Sequence, residues 1–413
     1  MICWTNSSFN RIFVQYFPIM FTRCLTNKLL FLSTKYPVVT ITGPRQSGKS
    51  TLVRAAFPDY RYVSLEDPDT RLFAEKDSRG FLTTYSDRTI IDESQYVPQL
   101  FSYIQTCVDK ENREGMYILA GSHNFLLMQS ISQTLAGRTA ILKLLPLSHI
   151  EMEKSGIVPN EIMDEIFMGG YPRIFDKGIE PSDFYPYYLH TYVERDVRLL
   201  KNIGDLSKFI SFIKLCAGRI GQLLNITSLA NDCGIAVSTA QNWISVLEAS
   251  YIIHFLKPEF KNYSKRLVKT PKLYFYDTGL ACSLLEITSK IQLNTHYLRG
   301  GLFENLVINE FMKYNYNLGR ETNLSFWRDK TGHEIDLLMN KATSQVAIEI
   351  KSGSTYSPDQ FKGIGYWEKL SDATSNSGKV IYTGEKNLTT MRGEVIAWQN
   401  IGILIDSLHA NME

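Results

Sequence analysis

The segment VVTITGPRQSGKSTLV, residues 38–53, places a glycine-rich centre between two apolar runs. It predicts a β-strand over Val38–Ile41, a loop from Gly43 to Ser50 and a helix from Thr51 onward. This order is typical of a phosphate-binding loop, because the glycines turn successive backbone N–H groups toward one anion and the helix N-terminus adds partial positive charge. A chance glycine-rich turn would lack both flanking elements.

This loop (the P-loop, Gly43–Ser50) predicts a nucleotide site with a divalent metal. Lys49 is the expected catalytic lysine because it can reach the outer phosphates, and Ser50 is an expected Mg²⁺ ligand. The residues expected to bind the nucleotide are Gly43, Pro44, Arg45, Gln46, Ser47, Gly48, Lys49, Ser50 and Thr51.

Two acidic residues follow a second apolar run. In DRTIIDESQYVP, residues 87–98, the run Thr89–Ile91 predicts a buried parallel strand with Asp92 and Glu93 at its carboxyl end, where open α/β sheets bind ligands. We expect Asp92 to hold Mg²⁺ through water and Glu93 to polarise the attacking water. A solvated strand end is the alternative, but the preceding P-loop favours the catalytic interpretation.

Four segments in this order, GPRQSGKSTL, IIDESQYVPQLFSYIQ, ILAGSHNFLLM and LAGRTAILKLLPLS, resemble bacterial and archaeal AAA+-type ATPases with a C-terminal winged helix and nuclease-like domain. The resemblance runs from about residue 20 to the end of the chain. It implies ATP as the ligand and a sensor of the γ-phosphate at Ser122 or Asn124. Gly170-Tyr171-Pro172 resembles an adenine-side element of related ATPases.

The same resemblance implies that Arg138 acts in trans. Arginines at this place in AAA+ proteins contact the nucleotide of the neighbouring subunit, so a homo-oligomer is expected. The alternative is a cation at a helix C-terminus, which the helix dipole favours.

Composition sets the broad class of the protein. A length of 413 residues indicates about three domains, and 44% hydrophobic residues suffice for several cores. The net charge of +2 is nearly balanced, so contact with DNA would have to use local basic patches. Six cysteines without a C-x-x-C pair argue against a zinc site or a disulfide scaffold.

The N-terminus carries no apolar stretch of the roughly 20 residues that a membrane span needs. We therefore expect a cytoplasmic protein without a membrane partner, in which residues 1–19 are either a disordered extension or the result of a mis-assigned start codon.

The middle of the chain predicts helices. Those after LLPLSHIEME would form a lid over the nucleotide, and the charged residues 194–198 either face the cleft or form an ion-paired surface. The run NITSLANDCGIAVSTAQNWISVLEASYIIHFLKP predicts two helices with a turn at Cys233-Gly234 and a cap at Ser238, then a strand pair. This is the outline of a winged helix.

The predicted recognition helix is poorly suited to DNA. Residues 238–250 contain Glu248 and no Lys or Arg, whereas groove-reading helices normally rely on phosphate contacts. A packing or regulatory role therefore weighs at least as much as DNA reading. The basic run 257–272, which ends at Lys272, either follows a phosphate backbone or forms a solvated wing.

The last third of the chain predicts a second site. The first segment, GLFENLVINEFMK, predicts a helix with Glu304 near its start. The second, FWRDKTGHEIDLLM, predicts a hairpin, and the third, QVAIEIKSG, predicts a buried strand. Alternation of side chains places Glu334 and Asp336 on one face, and Glu349 and Lys351 on one face.

This order resembles the PD-(D/E)XK nuclease fold. The resemblance implies that Asp336 and Glu349 bind Mg²⁺, that Lys351 positions the attacking water and that Glu304 is the supporting acid. The alternatives are a structural ion-pair cluster or an inactive DNA-binding remnant. Nearby, His333 is expected at a turn, and Gln360 either contacts the phosphate or is solvated.

The sequence therefore predicts an α/β protein with a P-loop AAA+-type ATPase core and helical lid, followed by a winged helix and a PD-(D/E)XK restriction-endonuclease-like α/β domain. The expected parts are an extension at residues 1–19, the core at 20–150, the lid at 151–206, the winged helix-turn-helix at 207–290 and the nuclease-like domain at 296–413.

Three functions stay open at this point. The first is Mg²⁺-dependent ATP hydrolysis coupled to a nuclease-like domain that acts on DNA in maintenance or defence. The second is a nucleotide-controlled binding switch whose nuclease-like domain only binds DNA or a partner protein. The third is an ATPase subunit that is active only within an oligomer.

Overall fold

The computed structural model describes residues 21–122, 131, 134–191, 205–259, 268–341, 344–371 and 378–410. Within these ranges, none of the helices combines the length and the apolar character that crossing a bilayer requires.

The first part of the chain is built on a five-stranded parallel sheet of order β2-β3-β4-β1-β5. β1, β3 and β4 are buried along their whole length, as expected for central strands of a parallel sheet. The α/β class with a parallel sheet is thus confirmed. The strands are β1 Val38–Thr42, β2 Arg61–Ser64, β3 Thr89–Asp92, β4 Tyr117–Gly121 and β5 Thr139–Lys143.

Helices cover this sheet, and two separate apolar clusters pack against its two faces. Phe101 and Ile104 belong to one cluster with Leu119, and Leu52 and Val53 belong to the other. The helices are α1 Thr26–Ser33, α2 Lys49–Ala56, α3 Pro68–Lys76, α4 Ser78–Thr84 and α5 Leu100–Glu111.

The helix after the P-loop begins earlier than expected. α2 starts at Lys49 rather than Thr51, because Gly48 takes a φ of +92° and turns the chain directly into the helix. Lys49 and Ser50 therefore occupy the first turn of α2.

The middle of the chain is mostly helical. It comprises α6 His149–Lys154, α7 Ile162–Met168, α8 Pro172–Lys177, α9 Pro181–Tyr188, α10 Leu206–Ala217, α11 Ile226–Cys233, α12 Val237–Ala249, the antiparallel pair β6 Ile253–Leu256 and β7 Lys272–Phe275, then α13 Thr278–Leu284 and α14 Lys290–Thr295. The turn between α11 and α12 contains Gly234 at a φ of +63°. Ser238 does not cap α12, since the cap position is Ala236, which provides no side-chain hydrogen bond.

One hydrophobic core joins this helical region to the end of the chain. It includes Phe184 and Tyr185 of the expected lid, Phe212 of α10 and Leu280 of α13, and it continues to Leu408. The helices after α6 therefore pack as one body with the C-terminal part.

The C-terminal part contains a six-stranded mixed sheet of order β12-β13-β11-β10-β9-β8. β8, β9 and β10 are antiparallel neighbours, and β10, β11 and β13 run parallel. The elements are α15 Arg299–Asn317, β8 Leu324–Arg328, β9 Glu334–Asn340, β10 Gln345–Lys351, α16 Lys362–Ser371, β11 Lys379–Tyr382, β12 Leu388–Thr390, β13 Gly393–Ala397 and α17 Ile401–Ala410.

This sheet lies between helices. Leu302 and Leu306 of α15 pack in the large core with Ile348 of β10, whereas Trp367 of α16 packs in a second cluster with Trp327 of β8. The two faces of the sheet are thus buried separately.

Candidate functional site

The P-loop is held in a tight curl at the carboxyl end of β1. Gly43, Gln46 and Gly48 have φ values of +150°, +59° and +92°. A side chain at position 43 would bring its Cβ within 2.1 Å of the carbonyl oxygen of Leu144, so this position requires glycine.

Lys49 lies inside the curl. It is buried, and its Nζ donates hydrogen bonds to the carbonyl oxygens of Gly43 at 2.9 Å and Pro44 at 2.7 Å. Burial lowers the pKa of Lys49 to about 8, although Glu93 and Asp92 act in the opposite direction. The ammonium is thus oriented by the loop itself.

Asp92 is the buried last residue of β3. Its Oδ2 accepts a 2.7 Å hydrogen bond from the hydroxyl of Tyr62, and its Oδ1 accepts one of 3.0 Å from the N–H of Glu93. Burial and the contact with Asp92 raise the pKa of Tyr62. Tyr62 lies on the neighbouring strand β2. This strand is short and half-exposed, and its sequence contains no motif that predicts the hydrogen bond to Asp92.

Glu93 is held by two polar partners. Its backbone is in the left-handed region with a φ of +51°, which turns the chain away from the strand. The hydroxyl of Ser122, at the end of β4, donates a 3.1 Å hydrogen bond to Glu93 Oε2, and the side-chain amide of Gln95 donates to the same oxygen. Of the two sensor candidates, Ser122 thus contacts Glu93, and Asn124 lies outside the described residues.

A cavity of about 960 Å³ adjoins the P-loop. Six of the expected nucleotide-binding residues line it together with Glu93, namely Arg45, Gln46, Gly48, Lys49, Ser50 and Thr51. Asp92 and Ser122 contact Glu93 but do not line this cavity, and neither do Gly43, Pro44 and Ser47. This space (the P-loop cavity) is also lined by C-terminal residues, namely Glu310, Tyr314, Asn317, Leu318 and Asp406.

Arg23 braces the P-loop from the segment before α1. Its Nη1 donates to the carbonyl oxygen of Ser47 and its Nη2 to that of Leu145, each at 2.6 Å, and its Nε pairs with Glu151 at 3.1 Å. The side chain is 7% exposed. Sequence reasoning missed this residue because a single arginine before a helix carries no spacing signal.

The segment Gly170-Tyr171-Pro172 lies beside the P-loop. The N–H of Gly170 donates a 2.8 Å hydrogen bond to the buried carboxylate of Asp277, and its carbonyl accepts one of 2.7 Å from the N–H of Leu147. Pro172 begins α8 and lines the P-loop cavity. The charged residues 194–198 expected in the lid lie outside the described residues.

Arg138 lies at the opposite end of the sheet from the P-loop. Its carbonyl accepts a hydrogen bond from the N–H of Val38 at the start of β1, and its guanidinium pairs with Asp109 at 2.9 Å. It therefore cannot reach the nucleotide of its own chain.

The acids and the lysine of the C-terminal strands meet as alternation predicts. Lys351 Nζ bonds Asp336 Oδ2 at 3.0 Å and also pairs with Glu349. The N–H of Ile350 donates to the same Asp336 oxygen at 2.8 Å. Burial and the nearby Asp336 raise the pKa of Glu349, whereas Lys351 and Lys272 outweigh burial and lower the pKa of Asp336.

Glu304 of α15 joins this cluster through Lys272. Lys272 Nζ bonds Glu304 Oε1 at 2.8 Å and pairs with Glu334, while the hydroxyl of Tyr274 donates to Glu304 Oε1 at 2.6 Å. The expectation that Lys272 belongs to an exposed basic run is wrong, because these acids hold it buried.

The charged side chains of these paragraphs line a second cavity of about 770 Å³ (the acid pocket). Its lining includes Lys272, Glu304, Arg328, Glu334, Asp336, Glu349, Lys351 and Gln360. Within the described ranges, no group of three or more His, Cys, Asp or Glu side chains has the arrangement of a metal site. In the acid pocket the reason is visible, since ammonium groups stand between the carboxylates. His333 stacks on Tyr366 at 3.7 Å and pairs with Asp329.

Comparison with known proteins gives three matches along the chain. Residues 35–153 match the family model of an AAA domain, residues 160–291 a domain of unknown function (DUF8612) and residues 299–401 another domain of unknown function (DUF4143). The uncharacterized protein Rv2008c of Mycobacterium tuberculosis is 28% identical over 325 residues, which cover 77% of this chain and 71% of that protein.

Solved structures resemble the chain only distantly. The Walker-type ATPase of Pyrococcus abyssi is 16% identical with a TM-score of 0.43, and the match covers 63% of this chain and 94% of that one. AMPPCP-bound DnaA from Aquifex aeolicus is 14% identical with a TM-score of 0.30, covering 54% and 86%. Residues 35–153 are thus similar to an AAA domain, and the P-loop lies within this range.

Proposed function

We propose that this protein hydrolyses ATP with Mg²⁺ at the P-loop and uses the nucleotide state to control the acid pocket, which acts on DNA as a nuclease. The observation that carries this proposal is the position of α15. Glu304 on this helix lines the acid pocket, and Glu310, Tyr314 and Asn317 on the same helix line the P-loop cavity.

The residues around the P-loop fit Mg²⁺. The hydroxyl of Ser50 and the carboxylate of Asp92 are oxygen donors of the kind this ion takes. Mg²⁺, when bound, would neutralise charge on the β- and γ-phosphates. Lys49 binds the outer phosphates, and Glu93, oriented by Ser122, places the attacking water.

α15 offers a rigid connection between the two cavities. It has 19 residues and is therefore about 28 Å long. Glu310 is buried, and its Oε2 accepts a 2.8 Å hydrogen bond from the N–H of His149 at the start of α6. Lys313 Nζ bonds Glu310 at 3.1 Å and the carbonyl oxygen of Leu147 at 2.8 Å. A shift of the ATPase domain on nucleotide binding would therefore act on α15 directly.

The acid pocket supports cleavage through its donor set. Asp336 and Glu349 both bond the ammonium group of Lys351, so the two carboxylates contact the same cation. Carboxylate oxygens are the ligands that Mg²⁺ prefers, but in this structure Asp336 and Glu349 bond the ammonium group of Lys351, so a metal would have to displace that group. Gln360 lies at the same pocket and would contact the phosphate backbone.

A second candidate function is a nucleotide-controlled binding switch. It is favoured by the pairing of Glu304, Glu334, Asp336 and Glu349 with Lys272, Lys351 or Arg328, which is the arrangement of a structural ion-pair cluster. In that case Lys49→Ala would change the affinity for DNA or a partner protein, and no variant would cut DNA.

ATP binding and hydrolysis by purified Lys49→Ala and Glu93→Gln test the ATPase part of the proposal. Glu93→Gln should bind ATP normally, but its rate of ATP hydrolysis should fall at least about 100-fold, because the amide cannot accept the proton of the attacking water. Lys49→Ala should lose ATP binding. Full hydrolysis by Glu93→Gln would contradict the role of Glu93.

A further inference from the structure

The P-loop cavity has one wall that comes from the C-terminal part of the chain. Glu310, Tyr314, Asn317 and Leu318 lie on or directly after α15, and Asp406 of α17 lines the cavity with them. The spacing i, i+4, i+7 and i+8 places the first four on one face of the helix, over about 12 Å of its length. These five residues (the C-terminal wall) therefore form a continuous surface of the cavity.

The C-terminal wall differs in charge from the rest of the cavity. Five basic side chains and three carboxylates line the remainder, and two of the basic side chains, Arg45 and Lys49, belong to the P-loop. The C-terminal wall carries the carboxylates of Glu310 and Asp406, and none of its five residues is basic. Phosphate groups pair with cations and are repelled by carboxylates. The triphosphate of a bound nucleotide therefore belongs at the P-loop, and the uncharged nucleoside is the part that suits the C-terminal wall.

The C-terminal wall offers the kinds of group that recognise a nucleoside. The ring of Tyr314 is half-buried and packs on that of His409, with 4.4 Å between the ring centroids. The side-chain amide of Asn317 can donate and accept, and it has no hydrogen-bond partner in the part of the chain that the structure describes. An aromatic ring beside such an amide can pack on a base and bond its polar edge.

Asp406 is the carboxylate of this wall that a ligand can reach. The oxygen atoms of Glu310 already bond the N–H of His149 and the ammonium group of Lys313. Asp406 is exposed, and its carboxylate lies close to Tyr314, because together with burial it raises the pKa of that hydroxyl to about 12. A carboxylate in this position can accept hydrogen bonds from ribose hydroxyls or from an amino group of a base.

We propose that the C-terminal wall is the nucleoside subsite of the P-loop cavity, in which Asn317 and Asp406 bond the adenosine of ATP. The inference rests on ATP binding at the P-loop, which is part of the proposed function, and it names the residues that recognise the nucleoside. It also gives the nucleotide a direct contact with α15, the helix that carries Glu304.

Photolabelling of the full-length protein with 8-azido-ATP tests where the base lies. The reactive azide is attached to the base, and trypsin releases Tyr314, Asn317 and Leu318 together in the peptide 314–320. We expect label in this peptide that an excess of ATP prevents. Label confined to other peptides, such as 24–28 or 155–173, would place the base against another wall of the cavity and overturn the subsite.

Asn317→Leu and Asp406→Ala test the two hydrogen-bonding groups. Each substitution should raise the Kd for ATP about tenfold, because a polar contact to the nucleoside is lost. Neither should weaken the binding of tripolyphosphate, which has no nucleoside. Ser407→Ala is the matched control, since Ser407 follows Asp406 on α17 but does not line the cavity, and both affinities should stay unchanged. Equal weakening of ATP and tripolyphosphate, or an unchanged ATP affinity in both folded variants, would overturn the subsite.

ATP hydrolysis and DNA cleavage, measured alongside, separate this inference from the proposed function. Protected label in 314–320 of a protein that neither hydrolyses ATP nor cuts DNA would support the subsite and count against the proposed function. ATP hydrolysis by a protein whose label is confined to other peptides would support the ATPase part of the proposed function and overturn the subsite.

Discussion

The guanidinium of Arg23 donates a 2.6 Å hydrogen bond to the carbonyl oxygen of Ser47, so a residue before the first helix fixes the backbone of the P-loop. The same side chain pairs with the buried Glu151 at the N-terminus of α6. The conformation of the P-loop is thus tied to the element that leads into the helical region.

Arg23→Ala should therefore weaken ATP binding about tenfold and lower the free energy of unfolding by about 3 kcal/mol, because Glu151 would be left as an unpaired buried charge. ATP affinity should be measured well below the unfolding midpoint, with unfolding followed separately. Arg113→Ala removes an exposed pair with Asp87 and should change the unfolding free energy by no more than about 1 kcal/mol. An unchanged ATP affinity in folded Arg23→Ala would show that ATP binding does not depend on the hydrogen bond from Arg23 to the P-loop backbone.

Ser122→Ala should slow ATP hydrolysis about tenfold at saturating ATP while leaving ATP affinity nearly unchanged, because Glu93 loses a hydrogen bond that orients its carboxylate. Ser94→Ala is the matched control, since the buried Ser94 hydroxyl donates to the carbonyl oxygen of Ala120 and not to Glu93. Equal rates for the two variants would refute an orienting role for Ser122.

His254 predicts a loss of stability in acid. Burial lowers its pKa to about 4, and the ring bonds Asn309 Oδ1 at 2.8 Å as a neutral donor. Because the unfolded chain binds this proton near pH 6.5, stability is full above that pH. It falls by up to about 3 kcal/mol as the pH drops toward 4.

Unfolding of wild type and His254→Gln by urea across this pH range checks the prediction. The variant should be less stable at pH 8 but should lose less stability on acidification. Identical slopes for the two proteins would show that protonation of His254 is not responsible.

Arg138→Ala should reduce ATP hydrolysis if Arg138 completes the site of a neighbouring subunit, and the wild-type rate per chain should then rise with protein concentration. Asp109→Asn is the matched control, because it breaks the same exposed pair but keeps the arginine. Loss of activity in both variants, or a rate that is independent of concentration, would indicate that the pair has only a local structural role.

The sequence predicted those features that a local pattern encodes. The P-loop and its parallel sheet follow from residues 38–53 and 89–93, because strand, loop and helix are contiguous there. The meeting of Asp336 with Lys351 follows from alternation along two neighbouring strands. The winged helix, the nuclease-like domain and their boundaries stay predictions.

The features that the sequence could not reveal come from residues far apart in the chain. Tyr62 meets Asp92 only because β2 pairs with β3. Lys272 reads as part of a basic, solvated run, yet Glu304 is 32 residues away in sequence and draws it into the acid pocket. In both cases the environment of the side chain is set by its contact with a distant segment, and the residue spacing within either segment does not predict that contact.

Cleavage of DNA by the purified full-length protein tests most directly whether the P-loop controls the acid pocket. Linear, circular, single-stranded and branched DNA should be incubated with Mg²⁺ or Mn²⁺, with and without ATP, using wild type, Lys49→Ala, Lys351→Ala and Lys379→Ala. Lys379 pairs with Glu394 elsewhere in the same sheet and serves as the control lysine.

We expect cutting by wild type and Lys379→Ala that needs the metal, depends on ATP and disappears in Lys351→Ala, with Lys49→Ala losing the response to ATP. Cutting that persists in Lys351→Ala would contradict the assignment of the acid pocket. No cutting of any substrate by wild type, with ATP hydrolysis intact, would contradict nuclease activity and favour the nucleotide-controlled binding switch.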